Sequence, residues 1–242
     1  MTEHNSTGPA TRPTAHSLYW DNVDRRFATA QARVFEHLGI PLAQDLRDGM
    51  SHGDWMDELL TGDGDDILAI CDIDAIPLSA AAYDTLVARA KAGEIAGLAQ
   101  ACNHLGHPDH IYPAPMFLVM RRSVWRDMGS PSMAPTPEWD AGQAMVVEAE
   151  ARGIATHALM PNSCVKSVWP LAGKRIYGIG TFYGENDFFH LYMSRKNRYL
   201  SLFEAVCDDV CNDREVDLPG YMRLVYPKSK MPKFLRKYFA NP

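Results

Sequence analysis

Two aspartates one residue apart, Asp72 and Asp74, close the most apolar stretch of the chain, Ile67-Leu68-Ala69-Ile70-Cys71. Gly62 and Gly64 precede this run and Pro77-Leu78 follow it, which reads as a buried strand bounded by turns. Side chains alternate along a strand, so Asp72 and Asp74 face the same way if strand geometry continues through them. Two carboxylates placed side by side repel, and a hard divalent cation between them turns that repulsion into a binding site with oxygen ligands. The competing reading is a strand that simply ends in two solvated acids. A second candidate is His190, within Phe188-Phe189-His190-Leu191-Tyr192 and followed by Ser194 and Arg195. By itself, a histidine among aromatics is an ordinary core residue bonded to backbone. A third is the acidic pair Glu138 and Asp140 after Thr136-Pro137, which helix-start chemistry explains without any catalysis. His104, His107 and His110 stand three apart, but nothing makes their segment helical, so the spacing carries no fixed geometry.

The elements that must position these groups alternate. Residues 17 to 22 form a short strand candidate, and Val23 to Leu38 a helix with Val23, Phe27, Ala30, Val34 and Leu38 on one face and Gly39 as its stop. Residues 40 to 44 predict a strand, and 55 to 60 a helix with Asp54 near its start. The Asp-x-Asp strand follows, then a helix from Ser79 to Ala92 and a strand over 95 to 100. Cys102 to Pro115 reads as a loop, residues 116 to 122 as a strand, and 123 to 129 as a helical turn. A long helix from Thr136-Pro137 to about Arg152 and a strand over 154 to 160 complete the repeat. This βαβ alternation predicts an α/β fold with a mixed, mostly parallel central sheet, followed by an irregular or helical C-terminal extension. Ligands of such sheets gather at the carboxyl ends of the strands, which puts Tyr19, Asn22 and Asp45 on the same rim as Asp72 and Asp74.

The hydrophobic strand, Asp-Ile-Asp and short apolar exit resemble the Asp-x-Asp signature of nucleotide-sugar glycosyltransferases with the GT-A fold. That resemblance implies a metal-dependent transfer of sugar from a nucleotide-sugar to a glycan, lipid or other small acceptor. It implies Asp72 and Asp74 as ligands of a divalent ion, manganese or magnesium, held against the donor diphosphate. A late histidine completes such sites in many members, which assigns His190 to the metal and Ser194 and Arg195 to the diphosphate. Donor contacts would come from Tyr19 or Trp20 stacking on the base, with Asn22 and Asp45 nearby; the usual Pro-x-Tyr opening is absent here. Inverting members keep an acid at the start of the helix after the acceptor-side strand, which makes Asp140, then Glu138, the candidate base.

The same letters resemble the first motif of haloacid-dehalogenase-type phosphatases, where the first aspartate is the nucleophile. Those enzymes carry it on their first strand and favour Thr or Val where this chain has Ile76; they also need a further acidic pair, for which Asp208-Asp209 is available. A nucleotidyltransferase would share the sheet and the metal but act on the α-phosphate, and no Gly-rich phosphate loop stands near the N-terminus to serve it. A non-catalytic nucleotide- or sugar-binding module is the reading without an enzyme.

The 242 residues are 46% hydrophobic with five tryptophans, enough for a sizeable core, and the net charge of −6 does not suggest a nucleic-acid partner. Five cysteines lack metal-ligand spacing and suit reduced, mostly buried thiols in a cytoplasmic protein. Residues 1 to 15 are polar and predict a disordered segment, and 16 to 226 the glycosyltransferase-like domain. Residues 227 to 242 form a basic tail with interleaved aromatics, suited either to packing on the domain or to peripheral contact with an anionic inner-membrane surface.

Overall fold

The computed structural model describes residues 12–102, 105–195 and 197–226. The basic tail, His104 and residues 1–11 lie outside the described residues. The fold begins earlier than expected, because residues 12 to 15 are ordered. Arg12 forms a two-pronged bond with Asp84 at 2.8 and 2.9 Å, and Ala15 is a fully buried strand residue.

The first half is the anticipated alternation. It runs β1 (Ala15–Tyr19), α1 (Arg25–His37), β2 (Leu42–Leu46), α2 (His52–Thr61), β3 (Ile67–Asp72), β4 (Ala75–Pro77), α3 (Ala80–Lys91) and β5 (Ile95–Ala101). Side-chain caps start the helices: Asp24 accepts from Arg26 N, Ser51 from Asp54 N and Ser79 from Ala82 N. After β5 come β6 (Ile111–Arg121), α4 (Arg122–Asp127), α5 (Gln143–Ala151), β7 (Thr156–Leu159), β8 (Pro161–Leu171), β9 (Arg175–Tyr183) and β10 (Phe188–His190). A 3₁₀ turn, α6 (Leu200–Cys211) and α7 (Leu218–Val225) close the chain.

Six strands form the central sheet in the order β2-β1-β3-β6-β5-β7. Five run parallel and only β6 runs against its neighbours β3 and β5. Helices α1 and α3 pack on this sheet, and their buried residues Phe27, Val34, Phe35, Tyr83 and Leu86 join one apolar core. A second, wholly antiparallel sheet has the order β4-β10-β9-β8. The C-terminal part supplies three strands of this sheet, β8 to β10, before the helical extension of α6 and α7. Only Ile73 and Asp74 separate β3 of the first sheet from β4 of the second, so the chain changes sheets within the Asp-x-Asp motif.

Two sequence expectations need correction. Residues 111 to 115 belong to β6 and not to a loop. Pro113 and Pro115 remove two donors, but a bulge between Gly97 and Leu98 of β5 lets the strand continue, with Pro113 opposite Ala99. The long helix from Thr136 does not form. The Thr136 hydroxyl accepts from Glu138 N and Trp139 N in a local turn, Gly142 adopts φ +72°, and α5 begins only at Gln143. A serine or threonine cap can serve a turn as readily as a helix, and left-handed backbone at Gly142 ends any helix running into it.

Candidate metal centre

β3 carries Ile67 to Asp72 through the middle of the central sheet and delivers Asp72 at its carboxyl end. Strand geometry stops there. Ile73 and Asp74 form a turn, held by a side chain from α1. The fully buried Gln31 amide donates to Asp72 O at 2.8 Å and Ala75 O at 2.9 Å, and its own oxygen accepts from Gln44 at 2.9 Å. β10 then pairs with β4, with His190 opposite Ala75, and Leu191 N donates to Asp74 O at 2.9 Å. The two acids thus meet through a turn braced by α1 and β10, not through alternation along one strand.

The resulting cluster is tight. His190 Nε2 lies 3.4 Å from Asp72 Oδ2 and 3.2 Å from Asp74 Oδ1. One ligand atom from each of the three residues falls within 4.8 Å of the others. Asp74 and His190 are buried at 4% and 3% exposure, while the Asp72 side chain retains 34%. Burial opposes the charged forms of His190 and Asp72, but their bonds within the cluster dominate. His190 is pushed up to about 9 by the charge of Asp74 and its bonds to both carboxylates. Asp72 is held below the usual carboxylate range by its bond with His190 and by His52 and Arg195 nearby. Two carboxylates and the imidazole nitrogen Nε2 of His190 fit a divalent cation as a donor set.

The cluster lines a cavity of about 490 Å³, a size usual for small-molecule sites. Arg195 and Ser194 line it too, and the Arg195 guanidinium sits 4.6 Å over the ring of Trp20. Asp140 also lines the cavity. Gln100 Nε2 donates to its Oδ2 at 3.1 Å and Ala141 N to its Oδ1 at 2.9 Å. Tyr112 lines the cavity beside it, and burial together with the Asp140 charge pushes that phenol up, so it remains a proton donor.

No family model and no curated protein matches the chain. Among solved structures it is similar to a mutant Drosophila β1,4-galactosyltransferase 7 in complex with manganese, UDP-Gal and xylobiose. The identity is 15% over 78% of this chain and 74% of that one, with a TM-score of 0.38. The chain's own layout supplies what the Asp-x-Asp resemblance implied: a mostly parallel sheet, an Asp-x-Asp at the end of a central strand, and a late histidine that joins it. The fold is a mixed α/β fold built on a mostly parallel central sheet, with the Asp-x-Asp where that sheet meets a second, antiparallel one.

Four expected contacts of the site lie elsewhere. Tyr19 packs partly buried against the core, and the next residue, Trp20, faces the cavity in its place. Asn22 is exposed beyond the cavity wall. Asp45 accepts from Trp55 Nε1 at 2.9 Å and supports α2. Glu138 is exposed in the turn ahead of α5. Strand ends place a residue near the rim but do not say which of two neighbours turns inward. The acidic pair that a phosphatase would need is engaged elsewhere: Asp208 bonds Arg33 at 2.9 Å and Asp209 bonds Arg214 at 2.7 Å, both away from the cavity. His107 stacks on Trp139 and His110 bonds Glu150 and Gln143. Among the described residues neither belongs to a metal-ligand group. Sequence reasoning missed His52, Gln100, Tyr112 and Tyr192, which all line the cavity. Only His52 had a local signal, since Ser51 followed by Asp54 marks a helix start one residue before it.

Proposed function

We propose that the protein is a metal-dependent glycosyltransferase acting on a nucleotide-sugar, with Asp72, Asp74 and His190 as metal ligands. The observation that carries this reading is the cluster of these three residues in the wall of a cavity that Asp140 also lines. A divalent ion held there supplies charge neutralisation for a departing diphosphate. His190 gives up its proton to act as a ligand. Arg195 leaves the face of Trp20 to bond phosphate oxygens, and that face then accepts the base. Of the two residues expected to stack on the base, Tyr19 and Trp20, it is Trp20 that takes the role.

Asp140 is the general base of an inverting transfer. The Gln100 amide and Ala141 N hold its carboxylate, and it takes the proton from the acceptor hydroxyl as the sugar moves. Manganese or magnesium serves as the ion, and the acceptor is a hydroxyl compound such as a glycan. Release of nucleoside diphosphate from a panel of nucleotide-sugars, with and without manganese, tests the proposal. Metal-dependent release from one donor supports it. Inorganic phosphate or pyrophosphate as the product would point to a phosphatase or a nucleotidyltransferase, and binding without turnover to a non-catalytic module.

A further inference from the structure

His52 is the least explained polar group in the cavity wall. Its Nε2 is buried and makes no hydrogen bond, although it stands 3.5 Å from Asp72 Oδ1. The two oxygens of Asp72 are thereby divided, with Oδ2 toward His190 and Asp74 and Oδ1 toward His52. His52 is outside the three-residue ligand group. It flanks one ligand at the carboxylate oxygen that His190 does not approach.

Considerable structure is devoted to keeping the ring there. His52 is the first residue of α2, capped by Ser51, whose hydroxyl accepts from Asp54 N at 3.1 Å. Gly53 lets this first turn lie directly on the loop before α5. A Cβ at Gly53 would come within 2.4 Å of Ala134 Cα, so the helix start has no room to shift in that direction. The imidazole stacks on Trp55, with centroids 5.6 Å apart and planes inclined by 13°. Trp55 is itself buried and tied by its Nε1 to Asp45 on β2.

We propose that His52 is a positioning residue for the metal centre. Closing the 3.5 Å gap lets its Nε2–H donate to Asp72 Oδ1, which turns Asp72 Oδ2 toward the ion. Carboxylate ligands depend on such outer bonds for orientation, and losing one weakens metal binding by about 10–100-fold. The inference rests on the metal-centre reading but does not require that the reaction be glycosyl transfer.

The test is titration of manganese alone into the full-length protein, comparing wild type with His52→Ala, His52→Gln and Asp72→Asn. The expected result is a loss of about 10–100-fold in affinity for His52→Ala. Most of it should return in His52→Gln, whose amide nitrogen can replace Nε2–H. Equal affinity of His52→Ala and wild type would overturn the role of His52 while Asp72→Asn still reports on the metal centre. A His52→Gln as weak as His52→Ala would also overturn it, because ring packing and not donation would then be what matters. Wild type that binds no manganese overturns both readings together. A measurement on the wild type covers the case in which His52→Ala fails to fold. Nitrogen-15 NMR of the magnesium-loaded protein should show His52 as the Nε2–H tautomer, and the Nδ1–H form would refute the proposal.

Discussion

At the residue scale, the acids and the histidine of the candidate centre depend on one another. Asp74 is buried, and with His190 and Asp72 it forms a closed set of charges that replaces their lost hydration. Asp72→Asn and Asp74→Asn should each abolish binding of manganese with nucleoside diphosphate in calorimetric titration while the protein still melts cooperatively. His190 gives a pH signature. Its pKa is raised from 6.5 to about 9, so the metal-free protein carries this proton at neutral pH. Ligation must expel it. Titrations in buffers of different ionisation enthalpy should show about one proton released per ion at pH 7, and the affinity should rise about tenfold per pH unit until pH approaches 9. The same shift stabilises the metal-free fold fully below pH 6.5, and that contribution is lost as pH climbs through about 9. Asp140 stands ahead of α5 and outside its first turn, so helix-dipole stabilisation does not account for it. Asp140→Asn should lower kcat by about 10²–10⁴-fold with donor binding unchanged, as steady-state kinetics and donor titration would show.

At the scale of elements, helices α1 and α2 do more than cover the sheet. Gln31 of α1 reaches the two carbonyls that flank the metal turn, and no other residue type of similar size could donate to both while accepting from Gln44. Gln31→Leu should therefore behave unlike a surface change. Leaving these carbonyls unpaired in the core costs about 1–3 kcal/mol, measurable by urea unfolding. Manganese affinity should fall as well, since the turn that presents Asp74 loses its brace. An unchanged unfolding midpoint together with unchanged affinity would show that Gln31 is not the support described. β10 is the other positioning element. The β9–β10 turn uses Gly184 at φ +65°, where an added Cβ would collide with the Asp187 carboxylate. That turn sets the register that puts His190 beside Ala75.

At the scale of the whole molecule, the candidate centre joins the two sheets. Asp72 ends a strand of the central sheet, His190 belongs to the antiparallel sheet, and Asp74 lies between them. An ion bound there clasps the two layers, and its binding energy becomes folding energy. At a hundred times Kd this linkage contributes about 2.7 kcal/mol. For a chain of this size that corresponds to a rise in Tm on the order of 5–10 °C. A thermal melt with manganese and nucleoside diphosphate would register it, and the same melt on Asp72→Asn should show no shift. No helix of the described residues is long and apolar enough to cross a membrane.

Much of this was legible locally. The apolar run into Asp72, the helical periodicity of α1 and α3, and the Ser79 cap are short-range patterns, and the βα alternation they form is enough to specify a mostly parallel sheet. The pairing of Asp72 with Asp74 was read from their spacing, but the addition of His190 was legible only through resemblance to a known family. Nothing near His190 in the chain marks it as more than a core histidine. The tertiary structure decided the rest: that residues 111 to 115 continue a strand, that Gly142 delays α5, and that Trp20 faces inward where Tyr19 does not. It also brought His52 beside Asp72 and paired β10 with β4. The division has one physical cause. Caps, periodicity and turns are written between residues a few positions apart, whereas strand register and the closing of a polar cluster depend on which distant backbones pair, and no short window of the chain contains both partners.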